Sequence, residues 1–264
     1  MSTTFFKYEG LGNDFIVVEA DEENAVVPGR AMLLCERRFG VGADGLILVL
    51  PPRTSDCATR MRVINADGSI PEMCGNGIRC VALHFARTHA GQASLLVDTD
   101  AGPRACAVDD AQGKGMVTVD MGVVRVLGDR ALTVDGRRVT VTAADAGNPH
   151  AVLLGAFARG DVEHLGPRLA VHPDFPKGTN VEFAVVASDG IDLVVWERGV
   201  GMTLACGTGA CATAAVACAK GLVPEGTAVV VRLPGGKLEV TVDNASRATM
   251  RGPARHVFSG TTSF

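Results

Sequence analysis

Met73-Cys74-Gly75-Asn76-Gly77-Ile78-Arg79 puts a cysteine and small residues at the mouth of a predicted helix. Ala205-Cys206-Gly207-Thr208-Gly209-Ala210 repeats its Cys-Gly-x-Gly pattern 132 residues further on, before another apolar run that ends at Lys220-Gly221. The first N–H groups of a helix have no partner within it, and the macrodipole makes that end positive, so a thiol seated there loses its proton more readily. The same N–H groups can hold a carboxylate. Two such ends facing one another would clamp one carboxylate and set a sulfur on either side of the carbon beside it. Cys74 and Cys206 are therefore candidate reactive thiols.

Outward from these two loops, further landmarks recur. Gly147-Asn148-Pro149-His150 answers Gly12-Asn13-Asp14-Phe15 at an offset of 135, and Phe175-Pro176-Lys177-Gly178 weakly answers Phe39-Gly40-Val41-Gly42 at 136. Asn65 and Glu197 each stand nine residues before their cysteine, at the ends of predicted strands Arg60–Ile64 and Asp192–Trp196. Landmarks in one order at offsets of 132 to 136 argue for two superposable halves.

In the first half, strands are expected at Phe5–Tyr8, Phe15–Val18, Leu46–Leu50 and Arg60–Asn65, then at Leu95–Asp98, Ala105–Val108 and Met116–Asp120. A short helix is expected over Gly29–Arg38, with Met32, Leu33 and Cys35 turned inward. The helix after Cys74 carries Ile78, Val81, Ala82 and Phe85 on one stripe, and Gly91 is placed to end it. The chain should cross over between Gly122 and Asp129. The helix Gly207–Ala219 is nearly all small residues, so strands can wrap it closely. The expected class is α+β. Two pseudo-symmetric domains are expected, 1–122 carrying Cys74 and 123–264 carrying Cys206, with room for the extreme C-terminus to pack back on the first. Each would wrap short, mostly antiparallel strands around one long central helix, with the active site in the cleft between them.

Composition narrows the function. A chain of 264 residues with 47% hydrophobic and 20% charged residues can build its own core. A net charge of −4 leaves no electrostatic footprint for nucleic acid or an anionic membrane. No apolar run reaches the roughly 20 residues of a membrane span, and the N-terminus lacks the pattern of a secretory signal. Eight cysteines in a core-forming chain read as free thiols of a reducing cytoplasm. With neither Cys-x-x-Cys nor His-Glu-x-x-His, no metal site is expected.

Several competing chemistries are weaker. Gly207-Thr208-Gly209-Ala210-Cys211-Ala212 fits a dinucleotide fingerprint, with Glu225 at a suitable distance, but no strand leads directly into it. Arg79 comes one place too early for a Cys-x5-Arg phosphatase loop. A cysteine–histidine hydrolase using His84, His150 or His172 leaves the second loop unexplained, and buried structural cysteines leave the duplication unexplained. Asn13, Asn65, Asn76, Asn148 and Asn180 fall at turns or strand ends, where asparagine has backbone uses of its own. In a closed pocket they would supply fixed neutral donors and acceptors. Glu197 and Arg198 read either as a solvated pair or as groups holding an ammonium and a carboxylate.

Leu11-Gly12-Asn13-Asp14-Phe15, Asn65-Ala66-Asp67-Gly68-Ser69, Met73-Cys74-Gly75-Asn76-Gly77, Gly147-Asn148-Pro149-His150, Glu197-Arg198-Gly199 and Ala205-Cys206-Gly207-Thr208-Gly209 together resemble the diaminopimelate epimerase family over nearly the whole chain. The Cys-Gly-x-Gly pair alone is shared with proline racemases. The resemblance implies a homodimer that interconverts LL- and meso-diaminopimelate without cofactor, for lysine and peptidoglycan-precursor synthesis. Carried over by motif, it makes Cys74 and Cys206 the acid/base pair, and Asn13, Asn65, Gly75, Asn76, Asn148, Asn180, Glu197, Arg198, Gly207 and Thr208 the substrate shell. His150 and Glu197 would tune the site. Two departures stand out: Gly45 replaces a glutamine of some members, and Phe258 replaces the tyrosine of a dimer contact. Racemisation of another amino acid, of proline or histidine type, and a binding protein with structural cysteines remain the alternatives.

Overall fold

Leu11 and Gly12 both adopt positive φ, 58° and 81°. That is the twist a two-residue hairpin turn requires, and it folds β1 (Ser2–Gly10) back on β2 (Asn13–Glu19). The computed structural model describes residues 2–89, 92–111 and 115–263. The chain divides into two compact units, Met1–Val119 with Arg251–Phe264, and Asp120–Met250. The sequence-based boundary at 122 and 123 follows closely on this break, and the C-terminal segment returns to the first unit.

In the first unit, β2 is followed by α1 (Pro28–Cys35), β3 (Gly45–Leu50), β4 (Thr59–Asn65), α2 (Gly75–Thr88), β5 (Ser94–Asp98), β6 (Arg104–Asp109) and the start of β7 (Met116–Val123). β1–β2 is antiparallel, β2–β3 parallel across α1, β3–β4 antiparallel, β4–β5 parallel across α2, and β5–β6 antiparallel.

The second unit holds β8 (Arg125–Val134), β9 (Arg137–Asp145), β10 (Pro149–Leu154), α3 (Arg159–Ala170), β11 (Asn180–Ala187), β12 (Gly190–Glu197), β13 (Gly201–Thr203), α4 (Gly207–Ala219), β14 (Val229–Leu233), β15 (Gly236–Val242) and the start of β16 (Arg247–Pro253). Its pairings run in the same order: β9–β10 antiparallel, β10–β11 parallel across α3, β11–β12 antiparallel, β12–β14 parallel across α4, β14–β15 antiparallel. The duplication inferred from a few landmarks is thus present in every pairing around each long helix, with β13 added in the second. β17 (Arg255–Ser263) pairs with β1 in the first unit.

The two-residue period of the strands decides which helix each side chain meets. In the first unit Ile16, Val18, Leu46 and Leu48 pack on the α1 side with Ala31 and Leu34. Ile47, between them, points the other way, to the first turn of α2. In the second unit Ala151, Leu153, Val181 and Phe183 pack with Val162 and Leu169 of α3, while Val152 packs with Ala212 and Val216 of α4. Both long helices are buried nearly all round. α2 packs against β1, β2, β4, β5, β6 and β17, and α4 against β8 to β12, β14 and β15.

One local expectation needs correction. α1 begins at Pro28 and buries Ala31, Leu34 and Cys35. Met32 and Leu33 face outward, because the apolar stripe of a helix runs i, i+3, i+4. Within the expected crossover 122–129 the chain passes directly from strand to strand, with β7 running to Val123 and β8 starting at Arg125. β8 and β9 form a long hairpin turned at Asp135-Gly136, both at positive φ. The expected helix stop at Gly91 lies outside the described residues; α2 ends at Thr88.

Candidate active site

Cys74 is the N-cap of α2, with extended backbone (φ −134°, ψ 113°), and its Sγ accepts a hydrogen bond from Gly77 N at 3.3 Å. The sulfur therefore occupies the position where a capping oxygen ordinarily sits. Small residues are needed in this turn: a Cβ on Gly77 would come 3.0 Å from Ile47 Cδ1 and 3.5 Å from Cys74 Sγ. Asn76, on the same turn, is buried; its Nδ2 donates to Asn13 Oδ1 at 3.1 Å, and its Oδ1 accepts from Arg79 Nη2 at 3.0 Å. Asn13 in turn donates to Asp44 Oδ2 at 2.8 Å.

An ionic cluster anchors this chain of amides. Arg37 bonds Asp14 and Asp44, each at 2.7 Å, and Lys7 contacts Asp14 at 2.6 Å and the Gly42 carbonyl. Burial alone would raise the Asp14 carboxyl, but its bonds to Arg37 and Lys7 outweigh it and hold it at about 2. Arg79 is wholly buried one turn along α2; Nη1 donates to Gly75 O at 3.0 Å and Nε to Pro253 O at 3.1 Å. Asn65, at the end of β4, donates to Ser69 Oγ at 2.9 Å within its own turn.

Cys206 caps α4 in the same way (φ −129°, ψ 112°), with Sγ accepting from Gly209 N at 3.4 Å and lying 3.5 Å from Thr208 Oγ1. Here the surroundings are acidic. Glu197, at the end of β12, accepts from Thr203 Oγ1 at 2.6 Å; burial raises its carboxyl, and the neighbouring Glu182 charge adds to that. Burial, then the charges of Glu197 and Glu182, push the Cys206 thiol well up, against the smaller pull of Thr208 and the Gly209 N–H. These surroundings favour the thiol of Cys206 over its thiolate.

His150 is completely buried between two acceptors, its Nδ1 2.7 Å from Glu182 Oε1 and its Nε2 2.8 Å from Asn148 Oδ1. Asn180 donates to Pro149 O at 3.3 Å and accepts from Arg198 N at 2.9 Å. The Arg198 guanidinium is exposed and donates to Lys177 O at 2.7 Å.

The expected residues thus collect into two groups. Cys74, Gly75, Asn76 and Asn13 form one bonded run in the first unit, while Asn65 is engaged with Ser69. In the second unit Cys206, Gly207 and Thr208 share one turn, Asn148 joins His150, Asn180 joins Arg198, and the Glu197 charge reaches Cys206. Phe258 lies half-exposed on β17, its ring edge-on to Phe5 with centroids 5.9 Å apart. Sequence reasoning missed Glu182, Arg79 and the Lys7–Asp14–Arg37–Asp44 cluster. For Glu182 a signal existed: it is the one charge in the apolar run Asn180–Ala187. Among the described residues no group of three or more His, Cys, Asp and Glu is placed to hold a metal ion, and no helix is long and apolar enough to cross a membrane.

Comparison with known proteins shows the fold and the family of the chain. The chain shares its fold with a hydroxyproline epimerase of Agrobacterium vitis (TM-score 0.76, 18% identity, 98% of this chain and 92% of that one). It also shares it with a PhzF-family phenazine biosynthesis protein of Bacillus anthracis (TM-score 0.78, 14% identity, 100% of both chains). The fold is therefore the one in which amino-acid epimerases occur. A family model for diaminopimelate epimerase matches residues 5–127 and 142–257. The diaminopimelate epimerase of Thermosynechococcus vestitus is 44% identical, over 99% of this chain and 99% of that protein. The chain belongs to the diaminopimelate epimerase family and is an isomerase.

Proposed function

We propose that this chain interconverts LL- and meso-2,6-diaminopimelate without a cofactor, through one thiolate and one thiol. The observation that carries the reading is the placement of Cys74 and Cys206 as caps of equivalent helices in a duplicated scaffold, in a chain of this family.

The α-hydrogen of an amino acid is a very weak acid, so the negative charge left by its removal needs stabilisation at the carboxylate. Backbone N–H groups in the first turns of α2 and α4, at Gly75-Asn76 and Gly207-Thr208, suit that task, being preorganised and at the positive helix ends. One sulfur, as thiolate, takes the proton from Cα and becomes a thiol. The other delivers its own proton to the opposite face and becomes a thiolate. The product is the inverted centre, and the two sulfurs have exchanged states. Cys74 is the base in one direction and Cys206 in the other, each starting as the thiolate when it acts as base.

Asn13, Asn65, Asn76, Asn148, Asn180, Glu197 and Arg198 are assigned to substrate binding, with the remote amino-acid group read by Asn65, Asn180, Glu197 and Arg198. That binding energy aligns the reacting centre. The two units serve as the domains of the enzyme. We further assign a homodimer with Phe258 at its contact and a cytoplasmic role in lysine and peptidoglycan-precursor synthesis.

The test is incubation in heavy water with LL-diaminopimelate, proline and histidine in parallel, without added cofactor. Deuterium should enter Cα of diaminopimelate alone. Incorporation into proline or histidine instead would reassign the substrate, and incorporation only with added pyridoxal phosphate would overturn the mechanism.

A further inference from the structure

Phe15 and His150, Gly45 and Asn180, and Ile47 and Glu182 are each 135 residues apart. The registers pair them alike: Phe15 stands opposite Gly45 on β2 and β3, and His150 opposite Asn180 on β10 and β11. Ile47 and Glu182 therefore occupy the same place in the two units, and both lie under the first turn of the long helix. A Cβ on Gly77 would come 3.0 Å from Ile47 Cδ1; a Cβ on Gly209 would come 2.9 Å from Glu182 Oε1. Where the first unit puts a phenylalanine and an isoleucine beneath its cysteine, the second puts a histidine and a glutamate.

Nothing in the folding of this scaffold calls for that exchange, since the first unit fills the same positions with apolar side chains. A wholly buried carboxylate is costly unless it is bonded. Glu182 spends one oxygen on His150 Nδ1 at 2.7 Å, while its Oε2 has no hydrogen-bond partner among the described residues. Such an expense without structural need marks a functional group.

We propose that Glu182 is a positioning residue, whose buried carboxylate orients His150 and keeps the α4 end of the site in its thiol form. It rests on the two-thiol reading above and adds to it a second group, besides Glu197, that makes the two ends unequal. Burial raises the Glu182 carboxyl and His150 opposes it; as a carboxylate Glu182 only accepts, so it draws the Nδ1 proton of His150 toward itself, and Nε2 faces the side-chain amide of Asn148. Among the described residues, the charged or titratable groups facing Cys206 include Glu197 from β12, Glu182 from β11 and, behind Glu182, His150 from β10. Glu197 sits at a strand end and partly open; Glu182 is sealed beneath the helix, where screening by water is least.

The experiment reads thiol chemistry without substrate. Cys206 alkylation by iodoacetamide is followed by mass spectrometry from pH 6 to 10 in the intact wild-type chain and in Glu182→Gln. Glutamine keeps an oxygen for His150 Nδ1–H but removes the charge. Cys206 should then react roughly three- to tenfold faster near pH 8, because one unit of thiol titration is a tenfold change in thiolate. Its titration curve should move to lower pH, and the His150 ring-nitrogen resonances should shift with it. A Cys206 curve superposable on wild type, in a variant with native circular dichroism, would overturn the proposal.

Should Glu182→Gln fail to fold, the double variant His150→Phe/Glu182→Ile copies the apolar pair that the first unit already accommodates, and the same curve decides. Absence of deuterium exchange into diaminopimelate would remove the function proposed above and leave this thiol measurement standing.

Discussion

The mouths of α2 and α4 have one backbone and opposite electrostatics. In each a cysteine caps the helix in extended conformation and accepts from the N–H three residues on. Beneath the first lie Phe15 and Ile47; beneath the second, His150 and Glu182. One turn along, α2 carries the buried Arg79, while Cys211 takes the matching place in α4. The first mouth holds its cation on the helix and the second holds its acids on the strands. A duplicated scaffold supplies matched geometry, and a handful of buried charges then gives the two sulfurs different surroundings. That suits a reaction needing one donor and one acceptor at the same moment.

The comparison breaks most readily at the sulfurs. Cys74→Ala and Cys206→Ala should each lower epimerisation of LL-diaminopimelate by about 10²- to 10⁴-fold, the usual range for a lost acid or base. Chiral analysis of product over time would show it. A variant keeping a tenth of the wild-type rate would show that one thiol suffices.

A smaller effect is expected at the buried cation of the first mouth. Arg79→Met removes the buried donors to Asn76 Oδ1 and to the Gly75 and Pro253 carbonyls. A loss of about 2–4 kcal/mol in urea unfolding is expected. A change under about 0.5 kcal/mol would mean that the helix mouth is held without it.

The smallest effect concerns acid. Asp14 has its carboxyl held at about 2, below the ordinary value of 3.8. A depressed carboxyl contributes stability above its unfolded value and loses it as pH falls through the folded one. Asp14→Asn should therefore cost about 1–2 kcal/mol at pH 7 and flatten the loss of wild-type stability between pH 4 and 2. Parallel acid-unfolding curves for the two proteins would show that the Lys7–Asp14–Arg37 cluster carries no such weight.

Much of this was legible beforehand, because it rests on local rules. Helix mouths were marked by Cys-Gly-x-Gly, strands by alternation, and the duplication by Gly-Asn and Cys-Gly landmarks; α4 covers Gly207–Ala219 as expected. The β8–β9 hairpin carried a signal too, Asp135-Gly136 between alternating residues. Arg79 was considered only as part of a failed phosphatase spacing. Its burial depends on the Pro253 carbonyl, far along the chain, and no local pattern records that bond.

By itself the sequence determined two equivalent cysteine-capped helices, their α+β setting and the family, since capping, period and motif are properties of neighbouring residues. Tertiary structure alone decided which side chain lies under each cap. Register across β2–β3 and β10–β11 brings Ile47 to one helix and Glu182 to the other, and the electrostatics of a thiol depend on what is packed against it, however distant in the chain.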